Sequence, residues 1–514
     1  MIFSSLQYLI FLPIVVFLYW RTTGGARLAT VVLASYVFYM SWLPVYGLLL
    51  LALTAFNFGI AFAIDRTRPR IEGDADTRSA KKSLLHKSIF AVGVLANVGL
   101  LFYYKYANFL IQNLIEAYNF SISQIQALEI FKIASAHPID APLLNVILPL
   151  GISFFVFEFA HYVVDVYRGD KPMRSFMEFA AFASFFPSQI AGPIKRYKQF
   201  TETLRNPTPL TEAQFKEAST LIVQGLFKKV AIADPLGLVV AAPFASLNTM
   251  SAADAWIAAL GFFIQVYCDF SGYTDMGRGS ALLMGIRLPE NFNLPYLARD
   301  LTDFWRRWHI TLGSWLRDYI YIPLGGNRNG SVAQWRNLII TMVACGFWHG
   351  ASWHYIIFGL TQGVGLCVNQ QWRIMLDRIP VLKAICESKP GLFLAHLSLV
   401  TFIIVTYAIF RAPDMPHAMN ILGSMLNFSA PCTLALSVEK SGVVYVASLY
   451  FLFWLAADRM TKSDFHMSVA KSIGLSQDGK TFDWPVRLAS WTAACVLMFA
   501  ARPTEAVPFV YFQF

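Results

Sequence analysis

Residues 46–64 read YGLLLLALTAFNFGIAFAI and contain no charged side chain. A helix needs about 20 mainly apolar residues to cross the ~30 Å hydrocarbon core of a bilayer, and this stretch is long enough. Similar stretches recur along the chain, so the fold class predicted is an all-α, polytopic membrane protein. We predict about eleven spans, at residues 2–20, 28–43, 46–64, 88–111, 143–163, 230–244, 253–273, 352–368, 393–410, 443–457 and 488–500.

The composition supports a membrane protein. Of 514 residues, 56% are hydrophobic and 14% are charged, whereas soluble domains carry about 25% charged residues. The net charge of +10 comes from Lys and Arg in short loops between apolar stretches, which argues against a nucleic-acid-binding surface. The six cysteines form no CxxC pair, so we expect packing thiols and no metal site. We predict one membrane domain over residues 1–514, with a first span that is retained rather than cleaved.

Basic loops predict the orientation of the spans. They follow the first, third and fifth spans and precede the spans that begin at residues 393 and 488. Because Lys and Arg are retained on the cytoplasmic side, both termini are expected outside.

Three stretches do not fit as full spans. Residues 179–194 are broken by Pro187, Gly192 and Pro193, and we predict a re-entrant element there. The apolar stretch at residues 218–227 is too short for a full span and is expected to end at Lys228 and Lys229. Residues 338–348 would form a half-length helix of about 16 Å.

His349 follows that half-length helix and is the first candidate catalytic residue. Histidine has an unperturbed pKa suited to general base catalysis near neutral pH. Gly346 and Gly350 would let another backbone or an acyl chain approach the imidazole. The alternative is a structural histidine bonded to a backbone carbonyl.

His309 lies in a second polar stretch. At helical spacing, Trp305, Trp308, His309 and Trp315 would share one side of a helix. The simpler interpretation is an interfacial helix with aromatic anchors and snorkelling arginines. The other places Arg306 and Arg307 near the phosphates of an acyl donor, with His309 facing inward.

Two further polar groups stand inside apolar stretches. Asp269 lies where residues 267–275 end a span, and it would either orient a histidine or arginine or cap the next helix. Glu158, His161 and Asp165 share one face of the fifth span, where we favour mutual hydrogen bonding over a proton relay.

Several catalytic motifs are absent from the sequence. It has no GxxxxGK[ST], GxSxG or HExxH motif, which disfavours an ATPase, a serine hydrolase and a zinc protease. A histidine without an obvious nucleophile suits direct transfer, in which the base deprotonates an acceptor hydroxyl that attacks a thioester.

Three blocks together resemble the membrane-bound O-acyltransferases, and most closely their bacterial alginate O-acetyltransferase (AlgI-like) branch. The blocks are FWRRWH at 304–309, YIPLGGNR at 321–328 and FWHGA at 347–351. Supporting matches are DFSGY at 269–273, AGPI at 191–194, VDVYRG at 164–169 and YFQF at 511–514. Apart from the C-terminal match, the resemblance runs from about residue 150 to 351.

The resemblance implies a ring of about eleven tilted helices, with re-entrant and half-length helices, around a central funnel. It places the family's invariant histidine at His349 and its more variable histidine at His309. Donor-binding candidates are Trp305, Arg306, Arg307 and Lys228, and supporting candidates are Asp269, Tyr273, Trp348 and Asn327.

The resemblance also implies a pathway in a bacterial inner membrane, so the termini that the basic loops place outside would be periplasmic. Acetyl-coenzyme A would be the cytoplasmic donor, and no cofactor would be permanently bound. An SGNH-hydrolase-like partner in the periplasm would acetylate an exopolysaccharide, alginate or another polymer such as cellulose. Two alternatives stay open: carrier-protein-dependent acylation of a teichoic-acid-type polymer, and a polysaccharide exporter without chemistry. An exporter would more often show inverted repeats or an ATP-binding module, and neither is found.

Overall fold

The computed structural model describes residues 1–68, 77–127, 142–432 and 509, and every regular element in these residues is helical. The α-helices are α1 (Leu6–Arg21), α2 (Gly24–Met40), α3 (Val45–Thr67), α4 (Thr77–Leu101), α5 (Ala107–Ala127), α6 (Ile152–Tyr167), α7 (Phe176–Ser184), α8 (Tyr197–Arg205), α9 (Glu212–Leu226), α10 (Asp234–Ala245), α11 (Ala252–Leu283), α12 (Leu301–Arg307), α13 (Ile310–Leu316), α14 (Gly330–His349), α15 (Trp353–Arg378), α16 (Pro380–Glu387), α17 (Lys389–Arg411) and α18 (Met415–Ser424). Short π-helical turns lie at Phe102–Tyr106, Phe227–Ala233 and Arg317–Tyr321, and a 3-10 turn lies at Pro295–Leu297. For this part of the chain, the predicted all-α class is confirmed.

Four described helical stretches are long and apolar enough to cross a membrane: Val45–Thr67, Ser83–Ile122, Ala252–Leu283 and Lys389–Arg411. Helices α1 and α2 are apolar but shorter, with 16 and 17 residues. The chain is therefore a multi-pass membrane protein. The predicted count of about eleven spans is not confirmed, and the predicted spans at 443–457 and 488–500 lie outside the described residues.

The described residues form two compact units. The first contains residues 1–30 and 191–349 and the described residues after 352; the second contains residues 31–190 and 350–352. In the first unit, α11 packs against α9, α10 and α17, and α15 packs against α14 and α17. In the second, α3, α4 and α6 pack together, and α7 contacts α3 and α6. The single-domain organisation stays a prediction.

The predicted fifth span is wrong at its start. Residues 142–151 are not helical, and α6 begins only at Ile152. Gly151 has a positive φ of 73°, and a Cβ there would lie 2.8 Å from the carbonyl oxygen of Gln189. Pro149 also disfavours helical backbone at the residue before it. Hydrophobicity alone does not separate an apolar extended segment from a helix.

The predicted half-length helix is also wrong. Helix α14 has 20 residues, about 30 Å of helix, and still ends at His349. Its polar first turns belong to the helix because they bond to α15, where Gln370 Nε2 donates to Gln334 Oε1 at 2.8 Å. Hydropathy underestimates a helix whose polar side chains are paired with a neighbouring helix.

The helix predicted to end at Lys228 and Lys229 continues past them. Helix α9, the π-helical turn Phe227–Ala233 and α10 follow one another without a break, and both lysines are buried. The predicted break in residues 179–194 is present, since α7 ends at Ser184 and buried irregular backbone with Pro187 follows. That this element enters and leaves from the cytoplasm stays a prediction.

Candidate active site

His349 is the last residue of α14 and is buried, with 6% of its surface exposed. Its imidazole lies beside two aromatic rings, with centroid distances of 4.8 Å to Trp348 and 5.0 Å to Phe410 of α17. Phe410 in turn contacts Tyr355 and Phe358 of α15, at 5.2 and 5.0 Å. The end of α14 is therefore enclosed by apolar rings of α15 and α17, which limit the access of water to the imidazole.

Gly346 sets how closely α14 approaches α15. A Cβ at this position would overlap the carbonyl oxygen of Tyr355 and lie 3.0 Å from the Cα of Gly359. Of the two roles predicted for this glycine, approach of another backbone is therefore the one observed. The contact fixes the helix that carries His349, one turn before the imidazole.

His309 sits at a break between two short helices. Helix α12 ends at Arg307 and α13 begins at Ile310, so the expected single helix through this region is wrong. His309 has a left-handed backbone with φ of 43° and is 1% exposed. Histidine tolerates this conformation better than most residues, and strained backbone of this kind costs roughly 1–3 kcal/mol and clusters at functional sites.

Trp348 connects the two histidines. Its indole centroid lies 6.0 Å from the His309 imidazole and 4.8 Å from the His349 imidazole, with edge-on geometry to both. The ring of Phe270, from α11, approaches His309 at 4.7 Å. The structure thus brings together two histidines that lie forty positions apart in the sequence, in one buried aromatic environment.

Burial also controls the charge of His309, which belongs to none of the four stretches able to span a membrane. Desolvation lowers the pKa of its imidazole to about 3. The charged ring is disfavoured because buried surroundings do not solvate it. At neutral pH, His309 is therefore uncharged, with one ring nitrogen able to accept a hydrogen bond.

The structure separates the three donor-binding candidates that precede His309. Trp305 Nε1 donates to Gln362 Oε1 at 3.1 Å, and Arg307 Nε donates to Asp303 Oδ1 at 2.9 Å. Arg306 is exposed, and no hydrogen bond or ion pair joins it to another residue in the described ranges. Of the two arginines, Arg307 is therefore paired with an acid, whereas Arg306 has no counter-charge in this part of the chain.

Lys228 and Asp269 belong to a buried charge network between the π-helical turn and α11. Lys228 pairs with Asp275, while Lys229 Nζ lies 2.7 Å from Asp234 Oδ1 and 2.8 Å from Asp269 Oδ1. Lys228 is therefore compensated and buried, which disfavours direct attraction of donor phosphates. Asp269 lies in the middle of α11, so the prediction that it caps a following helix is wrong.

Two supporting candidates lie apart from the paired histidines. Tyr273 is buried and stacks on Phe3 and Phe509, with ring centroids 4.3 and 4.6 Å away. Asn327 is exposed in the turn before α14. The residue before it, Gly326, accepts a hydrogen bond through its carbonyl oxygen from Asn337 Nδ2 at 2.9 Å. Both residues stay candidates for supporting roles.

Glu158, His161 and Asp165 lie on α6, in the second unit. His161 is fully buried, and its Nδ1 lies 3.0 Å from the carbonyl oxygen of Phe157. This bond engages Nδ1 of His161 within its own helix, which supports a structural role for His161.

Asn291 is a residue of the site that the sequence did not indicate. It is fully buried in the segment between α11 and α12, and its Oδ1 lies 3.1 Å from His309 Nδ1. No periodic pattern relates the two positions, which are 18 residues apart on opposite sides of a 3-10 turn. Only the fold brings them together.

Comparison with known proteins decides the family. The sequence profile of the MBOAT, membrane-bound O-acyltransferase family, matches residues 81–408, which include both histidines. The chain belongs to this family. The acyltransferase class is thereby confirmed, and the chain is an O-acetyltransferase by its relatives.

The relatives of this membrane-bound O-acyltransferase share most of its length. A protein of Pseudomonas putida named "Probable alginate O-acetylase AlgI" is 35% identical over 100% of both chains. The protein with the same name from Pseudomonas syringae pv. tomato is 39% identical over 83% of this chain and 76% of its own. A peptidoglycan O-acetyltransferase of Helicobacter pylori is 33% identical over 80% of this chain and 76% of its own.

Proposed function

We propose that this O-acyltransferase takes an acetyl group from acetyl-coenzyme A at the cytoplasmic face and passes it toward alginate beyond the inner membrane. The observation that carries the proposal is the buried pair of imidazoles around Trp348, inside the region that matches the family. Alginate is favoured over other polymers because the relatives from Pseudomonas putida and Pseudomonas syringae are named for it. The peptidoglycan relative makes peptidoglycan the second candidate polymer.

In the proposed reaction, His349 is the general base. It takes the proton of an acceptor hydroxyl while that oxygen bonds to the carbonyl carbon of the acetyl thioester. The carbon–sulfur bond then breaks, and the thiolate of coenzyme A takes the proton from the His349 imidazolium, which restores the neutral ring. The aromatic rings of Trp348 and Phe410 support this role because a dry environment favours the neutral imidazole that a base requires.

The immediate acceptor hydroxyl belongs, in this proposal, to a periplasmic SGNH-hydrolase-like partner, which then acetylates the polymer. Purified protein in nanodiscs should release coenzyme A from acetyl-coenzyme A slowly alone and faster when such a partner is added. Transfer of labelled acetyl to the partner serine would identify the acceptor. Labelled acetyl found directly on alginate oligomers, with no partner present, would show instead that the sugar hydroxyl attacks.

Arg306 is proposed to attract the donor phosphates. Replacing it with glutamine should raise KM for acetyl-coenzyme A by a factor of about 1.4 to 5, since one exposed ionic contact contributes roughly 0.2–1 kcal/mol. The effect should shrink at high salt, which screens exposed charges. Kinetics at two salt concentrations would measure it. The matched control is Arg287→Gln, because Arg287 is also exposed but pairs with Glu217 Oε1 at 3.0 Å. Equal KM values in both variants would exclude this role for Arg306.

The donor side is assigned from the basic loops. The connection from the end of α15 to the start of α17 is basic and contains Arg373, Arg378 and Lys383, so we propose that it lies in the cytoplasm. Arg411, at the other end of α17, would then lie on the opposite side. Both termini would then be periplasmic. Alkaline phosphatase fused after residue 514 should be active, because this reporter folds only outside the cytoplasm. If a reporter that is active only in the cytoplasm were active at the same position, the C-terminus would be cytoplasmic and the proposed orientation would be wrong.

A further inference from the structure

Asn291 holds the segment around His309 through four hydrogen bonds. Its Oδ1 lies 3.1 Å from His309 Nδ1, 3.3 Å from the backbone nitrogen of Thr311 and 2.9 Å from Thr311 Oγ1. Its own carbonyl oxygen accepts from the backbone nitrogen of Ile310 at 2.9 Å. The side chain of Asn291 therefore contacts His309, at the helix break, and Thr311, while its backbone carbonyl contacts Ile310 between them.

These bonds determine which way the amide of Asn291 points. A backbone N–H can only donate, so the amide atom that faces the nitrogen of Thr311 must be the oxygen. The Asn291 orientation is therefore set by an unambiguous donor rather than by the histidine itself.

The same oxygen then determines the tautomer of His309. An amide oxygen only accepts, so His309 Nδ1 must carry the proton that it donates to Asn291. In the neutral ring, the lone pair is then on Nε2. His309 in this state accepts a hydrogen bond or a proton through Nε2 and cannot donate one to the carbonyl oxygen of a thioester.

The contacts extend to the AGPI stretch at residues 191–194. The backbone nitrogen of Ile194 donates to Thr311 Oγ1 at 3.0 Å, across 117 positions of the chain. Because Asn291 Oδ1 can only accept, the hydroxyl of Thr311 donates its proton to it at 2.9 Å. Ile194, Thr311 and Asn291 thus form one chain of hydrogen bonds that ends at the His309 ring.

We propose that Asn291 is a positioning residue of the acetyl transfer, which holds His309 as the Nδ1–H tautomer so that Nε2 is its proton-accepting atom. The tautomer itself does not depend on the proposed function; its use in catalysis rests on it. The two histidines would then both act as acceptors of protons or hydrogen bonds. Neutral His309 has its one ring N–H directed at Asn291, so it would not stabilise negative charge on the thioester oxygen.

The tautomer can be measured without an activity assay. The full-length protein in nanodiscs, labelled with 15N at its nine histidines, would be studied at neutral pH, with the His309 signals assigned by their loss in His309→Gln. We expect a protonated Nδ1 and an unprotonated Nε2. A protonated Nε2, whether in the other neutral tautomer or in the imidazolium ion, would overturn the proposal while leaving the proposed function standing.

Replacing Asn291 with aspartate tests the use of this arrangement in the reaction. The carboxylate keeps the size of the side chain but favours the charged imidazolium, because an opposite charge at this distance raises a histidine pKa by about 1–3 units. The ratio of thioester hydrolysis at pH 5 to that at pH 8 should fall below the wild-type ratio, by up to about tenfold for the largest such increase. Asn293→Asp is the control, since Asn293 is exposed on the same segment.

Other titratable groups on the packed elements must be considered in that profile. Asp269 precedes Phe270 on α11 and is paired with Lys229, His349 follows Trp348 on α14, and Arg307 is paired with Asp303. None of these is changed by Asn291→Asp, so comparison with wild type cancels their titration. Identical pH profiles for Asn291→Asp and wild type would contradict a positioning role.

Asn291→Ala, which cannot accept the bond at all, should lower kcat at every pH and leave KM for acetyl-coenzyme A unchanged. A change confined to KM would also contradict the positioning role.

Discussion

Replacing His349 with alanine should abolish acetyl transfer and leave the protein inserted in the membrane and folded. General base catalysis contributes about 10²–10⁴ to a rate, so the release of coenzyme A should fall by at least about a hundredfold. The side chain is buried at the end of α14 beside Trp348 and Phe410. Its loss removes the proton acceptor without removing the helix contacts made by Gly346.

The matched control for this variant is His396→Ala. His396 is a half-buried histidine of α17 whose Nδ1 lies 3.2 Å from the carbonyl oxygen of Ala298. It represents the structural alternative considered for His349, a ring that only satisfies a backbone carbonyl. Equal activity in the two variants would mean that His349 is structural as well. Thermal unfolding in detergent should show that both variants remain folded.

Replacing Gly346 with alanine should damage stability and activity together. The added Cβ would overlap the carbonyl oxygen of Tyr355 and crowd Gly359, both in the backbone of α15, so the two helices must separate. Overpacking of this kind costs about 1–3 kcal/mol. Because His349 follows in the next turn, its imidazole would also move, and a displacement of about 1 Å can reduce a rate about a hundredfold.

Gly99→Ala is the control for this prediction. Gly99 lies in α4, and nothing is within 4 Å of a Cβ placed there. Alanine favours helix over glycine by about 1 kcal/mol, so this variant should be as stable as wild type or more stable. Thermal unfolding and thioester hydrolysis should be measured for both. Wild-type stability and activity in Gly346→Ala would show that the contact between α14 and α15 does not position His349.

The predictions from sequence were most reliable where the information is local. The apolar stretch at residues 46–64 is a helix, Val45–Thr67, and the block at 347–351 does contain a buried histidine at a helix end. The errors occurred where polar groups are paired over long distances. Hydropathy excludes Gln334 from α14 because the sequence does not show that Gln370 is its partner. It likewise ends the helix at Lys228 because the sequence does not show that Asp275 is the partner of this lysine.

The break at His309 could not have been predicted from helical spacing. Residues 301–316 contain no proline, yet the backbone turns left-handed at His309. The strain is offset by hydrogen bonds from a separate segment, at Asn291, and by the aromatic contacts with Phe270 and Trp348. A local pattern contains no information about such partners.

The sequence by itself determined the membrane class, from the length of its apolar stretches, and the family, from three short blocks and their order. It also supplied both histidines as candidates. The tertiary structure alone decided that the two rings flank Trp348 and that Asn291 faces His309. It also decided that Arg307 pairs with Asp303, whereas Arg306 has no counter-charge among the residues that the structure describes. The physical reason is that hydropathy depends on each residue and its close neighbours, whereas a buried polar group is satisfied by whichever partner the packing of distant helices brings within hydrogen-bonding distance.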